Sequence, residues 1–139
     1  MDIKKELKEW AIDYVKSRDA MQKTILSIDE QGDDFVVKRS GAEDFFLIRP
    51  VFADVEGVVS KGDASVGLVV LNTRENLSSV ISGWDKLCRM KGLKIYFVNP
   101  KASGDKKWLL APYTHERISD RSALKKGLES LFSMVEPYK

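Results

Sequence analysis

The chain contains one cysteine, Cys88, and one histidine, His115. A single thiol excludes a disulfide framework. A single imidazole excludes any centre that needs several His ligands, and with it most zinc hydrolase schemes. The longest apolar runs, such as Val66 to Leu71, fall far short of the roughly 20 residues that cross a bilayer. Met1 to Glu6 has no apolar stretch behind its charges, so it does not read as a signal peptide and the expected address is the cytoplasm. The three glycines Gly57, Gly62 and Gly67 fit neither the P-loop nor the dinucleotide fingerprint. No Ser-His-Asp or Cys-His arrangement can be placed on strand ends.

What is present is the profile of one globular α/β domain. Of 139 residues, 43% are apolar and 32% charged. A chain of that length buries roughly 70% of its unfolded surface, enough for a core without staples. The net charge is +2, from 23 bases and 21 acids. That balance hides a split. Residues 28–65 carry nine acids against four bases. Residues 86–107 carry seven bases, Lys86, Arg89, Lys91, Lys94, Lys101, Lys106 and Lys107, against Asp105 alone. Such density suits contact with phosphates. It also suits a solvated helix end, where cations favour the dipole.

Periodicity gives the elements. Ile3, Leu7, Trp10, Ala11, Tyr14 and Val15 draw one helical stripe behind the cap Asp2. Thr24–Ile28, Phe35–Arg39 and Asp44–Arg49, separated by Gly-containing turns, read as a three-strand antiparallel meander. Residues 51–64 read as a loose stretch. Val66–Leu71 is apolar throughout, as befits a central strand covered on both faces. Asn72 or Thr73 caps a helix carrying Leu77, Val80, Ile81, Trp84, Leu87 and Cys88, and Gly92 stops it. Leu93–Val98 follows as a strand, which makes a right-handed parallel βαβ unit. Trp108–Tyr113 reads as an edge strand because Pro112 cannot donate to a ladder. Ser119 or Asp120 opens a last helix with Leu124, Leu128, Leu131, Phe132 and Val135 inward. The expected order is α-β-β-β-β-α-β-β-α, a mixed sheet with helices packed on it. Cys88 reads as a small buried hydrophobe. The three tryptophans read as core residues, and Tyr96 and Phe97 take one face of their strand each.

This order resembles the PD-(D/E)XK nuclease superfamily with its restriction-endonuclease-like fold, and within it the Holliday-junction resolvases. The resemblance spans about residues 1–113. It takes Phe35–Arg39, Asp44–Arg49 and Val66–Leu71 as the family meander, 74–91 as the crossover helix and Leu93–Val98 as the next strand. The family sets an Asp at the start of its second core strand, and an acid, one residue and a Lys in the third. Those carboxylates hold Mg²⁺ and the Lys orients the attacking water. Asp44 falls at the first position, and Glu6 or Glu9 could stand for the Glu that some members carry on helix 1. Val70 and Asn72 occupy the acidic and Lys positions. Valine cannot ligate a metal and asparagine carries no charge.

The resemblance therefore implies a nuclease-like domain without its metal centre. Its ligand would be a nucleic-acid backbone or an acidic protein surface, met by the basic 86–107 region. An alternative is a Mg²⁺-dependent DNA nuclease with Asp44 and Glu9 catalytic and Asp44 a metal ligand. Displaced groups would then come from Asp54, Glu56, Lys61, Asp63 or Lys86. A third reading is a homo-oligomeric structural protein. Resolvases act as dimers, so a homodimer is the assembly that the resemblance implies.

Overall fold

The structure is a computed structural model that describes residues 2–139. Met1, part of the N-terminal stretch discussed above, lies outside them. Asp2 caps the first helix, α1 (Ile3–Asp19), by accepting from the Lys4 amide at 2.9 Å. Strands β1 (Ile25–Gln31), β2 (Asp34–Arg39) and β3 (Ala42–Ile48) form the expected antiparallel meander. A short helix α2 (Val55–Val59) leads to β4 (Ser65–Leu71). Helices α3 (Arg74–Ser82) and α4 (Trp84–Leu87) precede β5 (Leu93–Val98) and β6 (Lys107–Leu110). Helix α5 (Pro112–Ile118), a 3₁₀ turn at Arg121–Ala123 and helix α6 (Leu124–Phe132) complete the chain.

The six strands lie side by side in chain order. β3, β4 and β5 run parallel, and β6 closes the edge antiparallel to β5. The sheet separates two cores. On one face Leu7, Ala11 and Val15 of α1 meet Phe35, Val37, Phe46, Ile48, Val69 and Tyr96. On the other, α2, α3, α4 and α6 cover Leu47, Leu68, Val70, Ile95 and Phe97. The molecule is thus a mixed α/β domain with helices on both sides of an open sheet. No described helix is long and apolar enough to cross a membrane.

Four details differ from the sequence reading. β4 runs parallel to β3, so Val66–Leu71 does not continue a meander. Residues 51–64 are a crossover containing α2, which carries the chain back to the starting end of the sheet. The crossover helix breaks at Gly83, where an added Cβ would sit 2.9 Å from Val55 Cγ2, so α2 packs against the break. Gly92 follows a helix that has already ended at Leu87. Its lack of a side chain serves a backbone approach instead, since a Cβ there would lie 2.5 Å from the Ala64 carbonyl oxygen. Finally, the last strand stops at Leu110, and Pro112 opens α5. Proline's fixed φ suits a first helical turn as well as it suits a strand edge.

Candidate functional site

A cavity of about 790 Å³ opens where the last turns of α1 overhang the leading ends of β3, β4 and β5. Strand alternation builds its floor. Asp44 shares the α1-facing side of β3 with Phe46 and Ile48. It pairs with Ser65 of β4, and Gly67 pairs in turn with Lys94 of β5. Gly67 is required here, because a Cβ would lie 2.6 Å from the Phe46 ring. Tyr14, Val15 and Arg18 of α1 line the other side, and Lys23, Thr24 and Arg39 line the flank.

The cavity holds four bases, Arg18, Lys23, Arg39 and Lys94, and two acids, Asp19 and Asp44. Both acids are engaged within the protein. Asp44 accepts from Arg39 Nε at 3.2 Å. Asp19 accepts from the Thr24 hydroxyl at 2.5 Å and from the Thr24 and Ile25 amides at 3.0 Å. The Thr24 hydroxyl is the main cause that holds the Asp19 carboxyl below its ordinary range. Arg18, Lys23 and Lys94 have no carboxylate partner among the described residues. Among the described residues Arg18 donates only to the Tyr14 hydroxyl, at 3.4 Å. Lys23 takes a left-handed backbone, φ 53°, at the end of the turn that follows α1, a conformation glycine adopts more readily. Tyr96 lies beneath, and burial pushes its hydroxyl up to about 12.

The remaining sequence candidates lie elsewhere. Glu9 is on the solvent side of α1, and neither Glu9 nor Glu6 lines the cavity. Val70 is fully buried on the opposite face of the sheet from Asp44. Asn72 is fully buried past the far end of β4. Asp54 caps α2 through the Gly57 amide at 2.9 Å, and Glu56 pairs with Lys86. Among the described residues no three His, Cys, Asp or Glu side chains gather where one ion could be held.

The basic 86–107 region is spread over the molecule. Lys94 enters the cavity. Lys107 leans over the Tyr14 ring at 5.2 Å, and Lys91 lies 5.9 Å from the Tyr113 ring. Lys106 donates to the Pro100 and Ala102 carbonyls at 3.1 and 2.7 Å. Arg89 and Lys101 are exposed. The sequence reading did not single out Arg18, Lys23 or Arg39. Arg18 and Lys23 bracket the end of α1, a cluster visible in the sequence. Their meeting with Arg39 and Lys94 depends on the sheet order.

The fold and cavity define an α/β domain with a basic cleft between one helix and the leading ends of parallel strands. Compared with family models, curated proteins and solved structures, the chain matches none.

Proposed function

We propose that the protein binds the phosphodiester backbone of a nucleic-acid single strand or strand end in the α1 cleft, without cleaving it. The observation that carries this reading is the set of cations at one opening, Arg18, Lys23 and Lys94, that have no carboxylate partner among the described residues. Exposed cations that share one opening, with its two carboxylates already engaged by Arg39, Thr24 and Ile25, repel one another, and an anion relieves that repulsion. The volume falls within the roughly 300–1,000 Å³ that encloses one small ligand. That volume suits a nucleotide or two of a single strand. The resemblance to PD-(D/E)XK nucleases supports the same ligand class. The donor set does not fit that superfamily's metal centre. Asp44 faces a guanidinium and Asp19 is turned to Thr24 and Ile25, so the cleft offers a divalent ion no pair of free carboxylates.

The test is fluorescence anisotropy with labelled single-stranded and duplex oligonucleotides across a salt series. Single-strand binding should weaken steeply with salt, by about 0.7 in log–log slope for each phosphate contact. Lys94→Glu should cost about ten-fold in affinity, the scale of one lost charge-assisted contact. Asp44→Asn should tighten binding, since it removes an anion from the cleft and frees Arg39. No binding at low salt would refute the proposal. So would a Lys94→Glu protein that binds like the parent. Scission of the strand on adding Mg²⁺, abolished in Asp44→Asn, would replace it with the nuclease reading.

A further inference from the structure

A second pair of cations sits at the same end of the sheet. Tyr113 lies in the first turn of α5, and Arg117 stacks on its ring with Cζ 3.4 Å from the centroid. The same guanidinium donates to the Tyr113 carbonyl at 2.8 Å. Lys91 reaches the ring from the loop before β5, its Nζ 5.9 Å from the centroid. Neither cation has a carboxylate partner among the described residues. Glu116, the acid next in sequence to Arg117, is held instead by Arg121 and Trp84. Two cations on one ring lie within about a Debye length of each other, roughly 10 Å at 0.1 M salt, so a single phosphate can feel both. Stacking and the carbonyl contact already order Arg117, so its outward donors can meet a phosphate at a small further loss of freedom.

We infer that the bound strand leaves the α1 cleft, rounds the leading end of β5 and is held a second time by Lys91 and Arg117 on Tyr113. This inference rests on the reading of the cleft given above. Lys91 precedes Lys94 by three residues, which places the two within about 11 Å along the chain. Lys94 faces α1, while α5 packs by β5 and α4 on the other face of the sheet, where His115 meets the Trp84 ring edge-on. The path therefore wraps the end of the sheet, and an oligonucleotide must exceed the cleft's length to use it.

A length series separates the two claims. An oligonucleotide of about 2 nucleotides fills the cleft, whereas one of about 12 reaches past it. The double variant Lys91→Glu/Arg117→Glu should bind the short oligonucleotide as the parent does. It should bind the long one about ten-fold more weakly, with a salt slope shallower by about 1.4 for two lost contacts. Arg117→Lys should fall between, because it keeps the charge and loses the stacked plane. An unchanged melting temperature shows that the variants fold. Equal binding of the long oligonucleotide by parent and double variant overturns this inference and leaves the cleft standing. Failure of the parent to bind either oligonucleotide overturns both.

Discussion

Asn72 stands where the resemblance would put a charged amine, and its surroundings explain why it is an amide. Its Nδ2 donates to the Val135 and Glu136 carbonyls at 3.0 and 3.3 Å, and its Oδ1 accepts from Trp108 Nε1 at 2.8 Å. Its own carbonyl accepts from the Tyr138 amide at 2.9 Å. Asn99 donates to the Glu136 and Pro137 carbonyls beside it. The two side chains tie the C-terminal segment to the trailing ends of β4 and β5. A lysine here would bring a buried charge and leave the Trp108 N–H without its acceptor. Each buried group left unpaired costs about 1–3 kcal/mol. Asn72→Ala orphans the indole N–H and the Val135 carbonyl, so it should lower unfolding stability by about 2–4 kcal/mol in urea titrations. A loss below about 1 kcal/mol would mean that the C-terminal segment contributes little to holding the fold.

At the scale of elements, periodicity reveals what buries one continuous stripe. Leu7, Ala11 and Val15 give α1, and the unbroken run in β4 signals its burial on both sides. The meander is legible because Gly32 and Gly41 adopt positive φ in its turns. The helix at 55–59 is too short to show a stripe, and its signal is local, Asp54 reaching back to the Gly57 amide. The break at Gly83 answers to Val55, far off in sequence. The cleft shares that character. Asp44 could be picked out from its place before a strand, whereas its partner Arg39 belongs to the strand before and Lys94 to a strand two places across the sheet. Charge pairing between elements was equally hidden. Arg121 bridges Asp85 of α4 and Glu116 of α5, and its guanidinium holds the Glu116 carboxyl down to about 2. A folded-state value below that of the free side chain stabilises the protein above the ordinary glutamate range. The contribution is lost as pH falls through that range toward 2. Melting temperature should therefore drop between neutral pH and about pH 3, and the drop should be smaller in Glu116→Gln. Parallel curves for the two proteins would show that the contact does not couple α4 to α5.

For the whole molecule, the sheet divides a thick layer from a thin one. Four helices cover one face, and α1 alone packs into the core of the other. Ion pairs pin the first half of α1 to the β1–β2 turn, Lys4 with Asp33 at 3.2 Å and Lys8 with Glu30 at 2.7 Å. These pairs are at least partly exposed and contribute little energy, but they set where the helix lies. They also account for part of the acidic excess at residues 28–65, whose charges answer bases on α1. The second half of α1 overhangs the cleft, and its Tyr14 stacks at 5.2 Å on Trp10 of the preceding turn, both half-buried. A layer of one helix should open at a lower free energy than the central parallel strands. Amide exchange should thus be faster in α1 than in β4 and β5. A strand bound in the cleft joins the end of α1 to β5 and must be released before the helix can lift. At a ligand concentration about 100 times Kd that coupling raises the free energy of opening by up to about 2.7 kcal/mol. Residues 14–24 and 93–96 should gain protection on adding a saturating single-stranded oligonucleotide, while α6 stays unchanged. Protection centred on α3 and α6 instead would place the ligand on the thick side of the sheet, and the cations beneath α1 would need another explanation.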